Sequence, residues 1–272
     1  MSSSDMINQI ERIPILPNSL AVWGLGQMGF VVKGPDAILY IDPCLSYIPP
    51  SRAFPPPIDP EKITHADYVL CSHEHIDHFD SQTLTPLMSA SPQAKLVTTR
   101  WCIPMIDDMG LSHDRVIFPT AFEPMTLPNT TCTITPLPSA HYGLDHDPEK
   151  GYRWLGFTLA WNGIIIYFAG DTIIYEGYVD MLKGQPRANI AILPVNGRDY
   201  FREQRDLTGN LHPNEASGLA RQFNWDVVLM GHNDMLPGNT IPMGAIAQAF
   251  ADECPQQAYR ILKSGELMYY IR

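Results

Sequence analysis

Residues 71–80 read CSHEHIDHFD, three histidines and two aspartates in ten positions of a chain that is only 17% charged. Imidazole nitrogens and carboxylate oxygens suit zinc, manganese or iron where thiolates are absent. On a helix His73 and His75 would lie about 200° apart, but in an extended segment residues i and i+2 point to the same side and both reach one ion. Asp77 and His78 complete an H-x-H-x-D-H pattern immediately after the apolar run Tyr68-Val69-Leu70. By itself the cluster is compatible with a metal loop or with a solvated polar turn.

Three further donors sit just beyond apolar runs: His141 ends CTITPLPSAH, Asp171 ends IIIYFAGD and His232 ends DVVLMGH. Strand ends are where loops supply side chains and a sheet supplies rigidity. Together these positions offer five histidines and two aspartates, enough for two divalent ions. The expected division is His73, His75 and His141 on one ion, Asp77, His78 and His232 on the other, and Asp171 between them. Two ions about 3.5–4 Å apart can hold a hydroxide at neutral pH and clamp the oxyanion of an attacked centre. That chemistry predicts hydrolysis of an ester, lactone, amide or phosphodiester, with Asp77 orienting the nucleophile or carrying a proton.

Positioning these donors requires a strand-rich scaffold. Apolar runs recur as LAVWGL, FVVKG, AILYID, DYVLCS, KLVTT, RVIFP, CTITPLPSA, GFTLAW, IIIYFAG, NIAILPV, DVVLMG and ELMYYI. Helices are expected over YEGYVDMLKG, HPNEASGLARQF and GAIAQAFADE. In the second of these, Pro213 suits a first turn, and Ala216, Leu219, Ala220 and Phe223 fall on one face. Strands joined first by short turns and later by helices predict two facing sheets with helices outside. The Pro-rich segment 48–60 reads as an ordered loop over the site, and residues 1–272 as one domain.

The formal net charge of −11 with only 18 Lys and Arg leaves no basic field for nucleic acid or an anionic membrane. A small-molecule substrate is expected instead. Five scattered cysteines without a C-x-x-C pair predict neither disulfides nor a thiolate zinc site. The N-terminus has no apolar signal core, and no run approaches a membrane span, so the expected address is the cytoplasm.

SHEHIDH, FAGDT and MGHND resemble the metal-binding motifs of the metallo-β-lactamase superfamily, and YIDP resembles its early aspartate, placing Asp42 as a brace for the metal loop. YFAGDTIIYEGY, IAILPVNG, LHPNEASGLA and VVLMGHND look most like the ascorbate-6-phosphate lactonase branch. The N-acyl phosphatidylethanolamine phospholipase D branch is similar in the same segments. The resemblance implies a four-layer αββα sandwich of the α/β class, a metal-dependent hydrolase and, often, a homo-oligomer. It also suggests His212 as an acid/base or substrate-proximal residue, by similarity to the phospholipase-like branch.

Asn196 and Arg198, with Arg202 and Arg205, follow another strand end and are candidates for holding a substrate anion. Tyr142 and His146 are further substrate-side candidates, whereas Trp101 and Tyr200 read as packing residues. The expected cofactors are two divalent ions, zinc or manganese, with redox iron disfavoured because it would want a carboxylate where His75 stands. The expected function is hydrolysis of a lactone or phosphorylated small molecule. A small or lipid-like phosphodiester is one alternative, and a non-catalytic metal-binding regulatory module is another. A nuclease would need an inserted domain and a basic groove, and a glutathione-thioester hydrolase a helical C-terminal extension.

Overall fold

The computed structural model describes residues 3–47 and 52–272. The first half of the chain supplies β1 (Ser19–Gly26), β2 (Gly29–Lys33), β3 (Ile38–Ile41), β4 (Tyr68–Leu70), β5 (Lys95–Val97), β6 (Val116–Ile117), β7 (Met125–Thr126) and β8 (Thr133–Pro138). The second half supplies β9 (His146–Asp147), β10 (Gly151–Tyr152), β11 (Leu155–Trp161), β12 (Ile164–Phe168), β13 (Ile190–Pro194), β14 (Val227–Gly231), β15 (Tyr259–Arg260) and β16 (Leu267–Ile271). One sheet runs β16-β1-β2-β3-β4-β5-β6 and the other β15-β14-β13-β12-β11-β8-β7, while β9 and β10 form a small ribbon. Each large sheet has an antiparallel half joined to a parallel half.

The strands are apolar on both faces because both faces are covered. Leu20 and Val22 point between the sheets, with Leu39 and Ile41, against Phe157, Leu159, Ile166, Phe168 and Ile192. Their neighbours Ala21 and Trp23 point outward, where Met6 and Ile10 of α1 (Ser3–Arg12), Leu84 and Leu87 of α2 (Ser81–Ala90) and Ile106 of α3 (Ile103–Asp108) cover them. On the second sheet Ala191, Leu193, Val228 and Met230 face outward. They meet Tyr178 of α4 (Tyr178–Lys183), Leu219 of α6 (Pro213–Phe223) and Phe250 of α7 (Met243–Glu253). A short α5 (Tyr200–Glu203) lies between β13 and α6. The result is the four-layer αββα arrangement, a period-two alternation read out as two inner and two outer faces.

All twelve strand-like runs lie on strands of the two sheets, and the three expected helices are α4, α6 and α7. The sequence reading passed over α1, α2, α3 and α5. In α2 the internal Pro86 and a dispersed apolar pattern hide a helix that Asp80 caps, its side chain accepting the Gln82 N–H at 3.1 Å. The expected loop over 48–60 lies partly outside the described residues; from Arg52 onward it is held by Arg52, whose guanidinium donates to Cys44 O and Phe54 O. All five cysteines are free. Among the described residues no helix is long and apolar enough to cross a membrane.

Gly170 precedes Asp171 with φ +62, and a Cβ there would run into the carbonyl oxygen of Leu155. Strain and overpacking therefore act together at this turn. Gly170→Ala is expected to lower stability by about 1–3 kcal/mol in urea unfolding of the metal-free protein, with a parallel loss of metal affinity.

Candidate metal centre

The donors converge from strand ends that open on one edge of the sandwich. Asp42 follows β3, the loop 71–80 follows β4, His141 follows β8, Asp171 follows β12 and His232 follows β14. Side-chain donors of His73, His75, His141 and Asp171 lie within 4.8 Å of one another, and those of Asp77, His78 and His232 form a second such group. Asp171 joins the groups: its Oδ1 is 3.3 Å from His78 Nε2, and its Oδ2 is 3.7 Å from His141 Nε2 and 3.2 Å from His232 Nε2. His232 Nε2 is also 3.2 Å from Asp77 Oδ2. Ligands held at 2.0–2.1 Å around a tetrahedral ion stand roughly 3.3 Å apart, which these spacings match.

Several of these atoms have no hydrogen-bond partner despite being buried: His78 Nε2, both ring nitrogens of His141 and Asp171 Oδ1. Buried polar atoms are normally satisfied, so orphans gathered from His78, His141 and Asp171, with one ring nitrogen of each imidazole facing the cluster, fit a cation that would satisfy those atoms. Nitrogen and oxygen donors without thiolate fit a divalent ion of the zinc or manganese kind.

A shell of hydrogen bonds fixes the donors. Asp42 is fully buried and accepts the Ser72 N–H at 2.7 Å, the Ser72 hydroxyl at 2.6 Å and His78 Nδ1 at 2.6 Å. With Nδ1 so engaged, His78 presents Nε2 to the cluster. Gln27, in the turn between β1 and β2, donates from Nε2 to Asp77 Oδ2 at 2.7 Å, and its carbonyl accepts the His232 N–H at 2.7 Å. Gln27, Asp42 and His232 all have left-handed φ, +56, +42 and +62, an uncommon conformation for these residue types that collects at functional sites. Sequence reasoning missed Gln27; its one signal is a polar residue between glycines in the turn GLGQMG.

Electrostatics divide the histidines. Burial, reinforced by neighbouring imidazoles, holds His73 well below its ordinary value, and burial likewise lowers His75 and brings His141 to about 4. Burial also opposes charge on His78 and His232, but Asp171 and Asp77 outweigh it, raising His78 well above the ordinary value and His232 to about 9. For Asp77 and Asp171, desolvation is overcome by the facing imidazoles, and both carboxyls fall below the usual range. In the metal-free protein the second group thus carries imidazolium and carboxylate charges where a cation would otherwise stand.

The remaining candidates fall into distinct places. Glu74 turns away and pairs with Arg153, whose guanidinium lies over Trp101 and Trp154; Trp154 in turn meets the His141 ring edge-on. Tyr142 is exposed and outside the lining of the pocket over the cluster, with its hydroxyl 3.5 Å from Thr208 Oγ1 of that lining. Asn196 and Arg198 do not line the pocket over the cluster. Asn196 is buried and spends its amide on Asn239 Oδ1 and the Asn210 N–H. Arg198 forks onto the Glu215 carboxylate at 2.7 and 2.6 Å, and Arg202 is buried against Asp199. Asn196, Arg198 and Arg202 are thus all engaged by partners within the chain. His212 stands at the start of α6, its N–H donating to Glu215 and its ring lying against Gly197. It is not part of the pocket lining either. His146 pairs with Tyr152 in the small ribbon.

A family model described as the β-lactamase superfamily domain matches residues 38–233. The chain is 27% identical over 138 residues to N-acyl-phosphatidylethanolamine-hydrolyzing phospholipase D 1 of Caenorhabditis elegans, covering 47% of this chain but only 37% of the nematode protein. It is 24% identical over 241 residues to a UPF0173 metal-dependent hydrolase of Exiguobacterium sp., covering 86% and 92% of the two chains. Among solved structures it is similar to Igni18, a metallo hydrolase from Ignicoccus hospitalis, with TM-score 0.70, 18% identity and coverage of 93% and 98%.

Metal ligation needs neutral imidazole, so protons compete with the ion. Because Asp171 and Asp77 raise both His78 and His232 in the metal-free protein, His232 to about 9, apparent metal affinity is expected to rise with pH through the neutral range. Calorimetry in buffers of different ionisation enthalpy should show protons released on uptake near pH 7.5. Asp42→Asn, which weakens the hold on His78 Nδ1, should lower metal affinity roughly 10- to 100-fold in chelator competition.

Proposed function

This chain belongs to the metallo-β-lactamase superfamily of metal-dependent hydrolases, and on that premise we propose that it cleaves the carbonyl ester or lactone bond of an uncharged small molecule. The observation that carries the reading is the lining of the pocket over the cluster. This cavity of about 320 Å³ is walled by Ile76, Leu207, Leu236, Pro237, Thr208, Asn239 and Asp206 around His75, Asp77, His141, Asp171 and His232. Among the described residues no lysine or arginine lines it. A phosphorylated substrate would call for a cation at its far end, and Arg198 and Arg202 are already committed to Glu215 and Asp199. The apolar walls favour the lactone side of the expected substrate range.

His73, His75, His141, Asp77, His78 and His232 would hold two ions, zinc or manganese in preference to iron, with Asp171 between them. Such ions supply a nucleophile from water at neutral pH and charge to stabilise an oxyanion. Asp77, whose Oδ2 accepts from Gln27 and faces His232, would orient the attacking water or take its proton. Asp42 and Ser72 keep the His78 ring from rotating. Ile76, exposed in the pocket lining, and Tyr142, exposed beside Thr208, would contact the apolar part of the substrate.

A phosphodiester is the second reading, favoured by the 27% identity to the nematode phospholipase D over the segment that matches. It needs no cation beyond the ions, since the scissile phosphate would lie on them.

Asp171→Ala is expected to abolish turnover and to lower bound metal on elemental analysis; full activity in that variant would sink the two-ion reading. Across a panel, uncharged lactones and aryl esters should exceed phosphorylated lactones in kcat/KM by roughly tenfold or more, about 1.4 kcal/mol of transition-state binding. The reverse order, or turnover confined to phosphodiesters, would select the second reading. His212→Ala at intact metal content separates its two roles: unchanged turnover leaves it a helix-start residue.

A further inference from the structure

The loop that follows β14 has two faces. Leu236, Pro237 and Asn239 line the metal pocket, while Asn233 and Asp234 form part of the wall of a second cleft. This cleft measures about 730 Å³, more than twice the metal pocket, and its apolar walls include Phe54, Pro55, Pro57, Ile241, Met243 and Leu262. Size and apolar lining are those of a small-molecule site, in which a few placed polar groups fix orientation.

Those polar groups are present. Asn233 is 4% exposed, yet its side-chain NH₂ has no hydrogen-bond partner among the described residues. A buried donor left this way is unusual, and, being shielded from solvent, it would meet a ligand once the Asn233 side chain turns toward the cleft. Beside it, Asp234 accepts the Gln27 N–H at 3.0 Å through Oδ1, and a carboxylate has capacity for further donors. The two side chains thus offer a donor and an acceptor next to each other. Lys263, also in the lining, has no ion pair among the described residues. Asp234 disfavours an anion and Lys263 a cation.

We propose that this cleft is a second ligand site, taking an uncharged apolar molecule whose single hydroxyl or carboxamide group meets Asn233 and Asp234. The group accepts from the Asn233 NH₂ and donates to the Asp234 carboxylate, and the apolar body lies between the Phe54–Pro57 segment and Ile241, Met243 and Leu262. The site does not rest on the hydrolytic reading, since none of its residues belongs to the metal cluster. It is nonetheless one step from it: Gln27 donates its N–H to Asp234 and its side chain to Asp77.

The test is a titration of 1-octanol, with octanoate and octylammonium as charged counterparts of the same chain length, into metal-loaded protein labelled at Ile, Leu and Met methyls. Saturable shifts at Ile241, Met243 and Leu262 are expected, with Ile76, Leu207 and Leu236 unmoved and both charged compounds at least tenfold weaker. Met243 is exposed at the start of α7, so Met243→Trp should leave the fold intact by circular dichroism and weaken 1-octanol at least tenfold. Shifts confined to the metal pocket, shifts that never saturate, or equal binding of a charged counterpart would overturn the proposal. So would a change of oligomeric mass in Met243→Trp by sedimentation, which would make the cleft a contact between copies of the chain.

Discussion

A buried carboxylate at the end of β3 is the contact on which the arrangement of this edge depends. Asp42 has no exposure to solvent, and desolvation pushes its carboxyl up, against the pull of His78 and Ser72. It takes the Ser72 N–H, the Ser72 hydroxyl and the His78 ring. Through those bonds the first turn of the metal loop is tied to the strand next to β4, and the free nitrogen of His78 is aimed at the cluster. The Ser72 carbonyl accepts the Leu155 N–H at 3.1 Å and so links the loop to the other sheet. Removing one partner from such a network leaves buried charge uncompensated, which costs more than the bond itself contributes.

Around that brace the chain gathers groups that repel one another or resist burial. Five imidazoles and two carboxylates share a space from which water is largely excluded, and several of their atoms lack partners. The rigid part of the structure makes this tolerable. Both sheets are packed on two faces, so the strand ends cannot drift, and the strained backbone at Gln27, Asp42 and His232 is held by the layers beneath it. Bound cations would reverse the balance by pairing with one facing atom of each of these side chains.

Charge also shapes what lies above the cluster. The arginines after β13 look available in the sequence, yet in the fold they brace the start of α6 and the loop before it. Arg198 grips Glu215, which also accepts the His212 N–H. The pocket is left with apolar walls and one further carboxylate, Asp206. An acidic chain with its nearby cations internally paired is poorly suited to hold an anionic tail by side chains.

The sequence by itself determined the layers and the donor types. Twelve near-continuous apolar runs specify strands covered on both faces, and each of His73, His141, Asp171 and His232 stands at or just past the end of such a run, so strand ends alone place them at an edge. It did not reveal α2, because Pro86 and scattered apolar residues mask a helix recognisable only by what covers β4. Nor did it reveal Gln27, the fate of Arg198, or the cleft behind the His232 loop. Those depend on partners far away in the chain: Gln27 meets Asp77 and His232 across gaps of 50 and 205 positions, and Asn196 meets Asn239 across 43. Periodicity records which face of an element is buried, whereas pairing between polar side chains on different loops is decided only when the two sheets pack and bring those loops together.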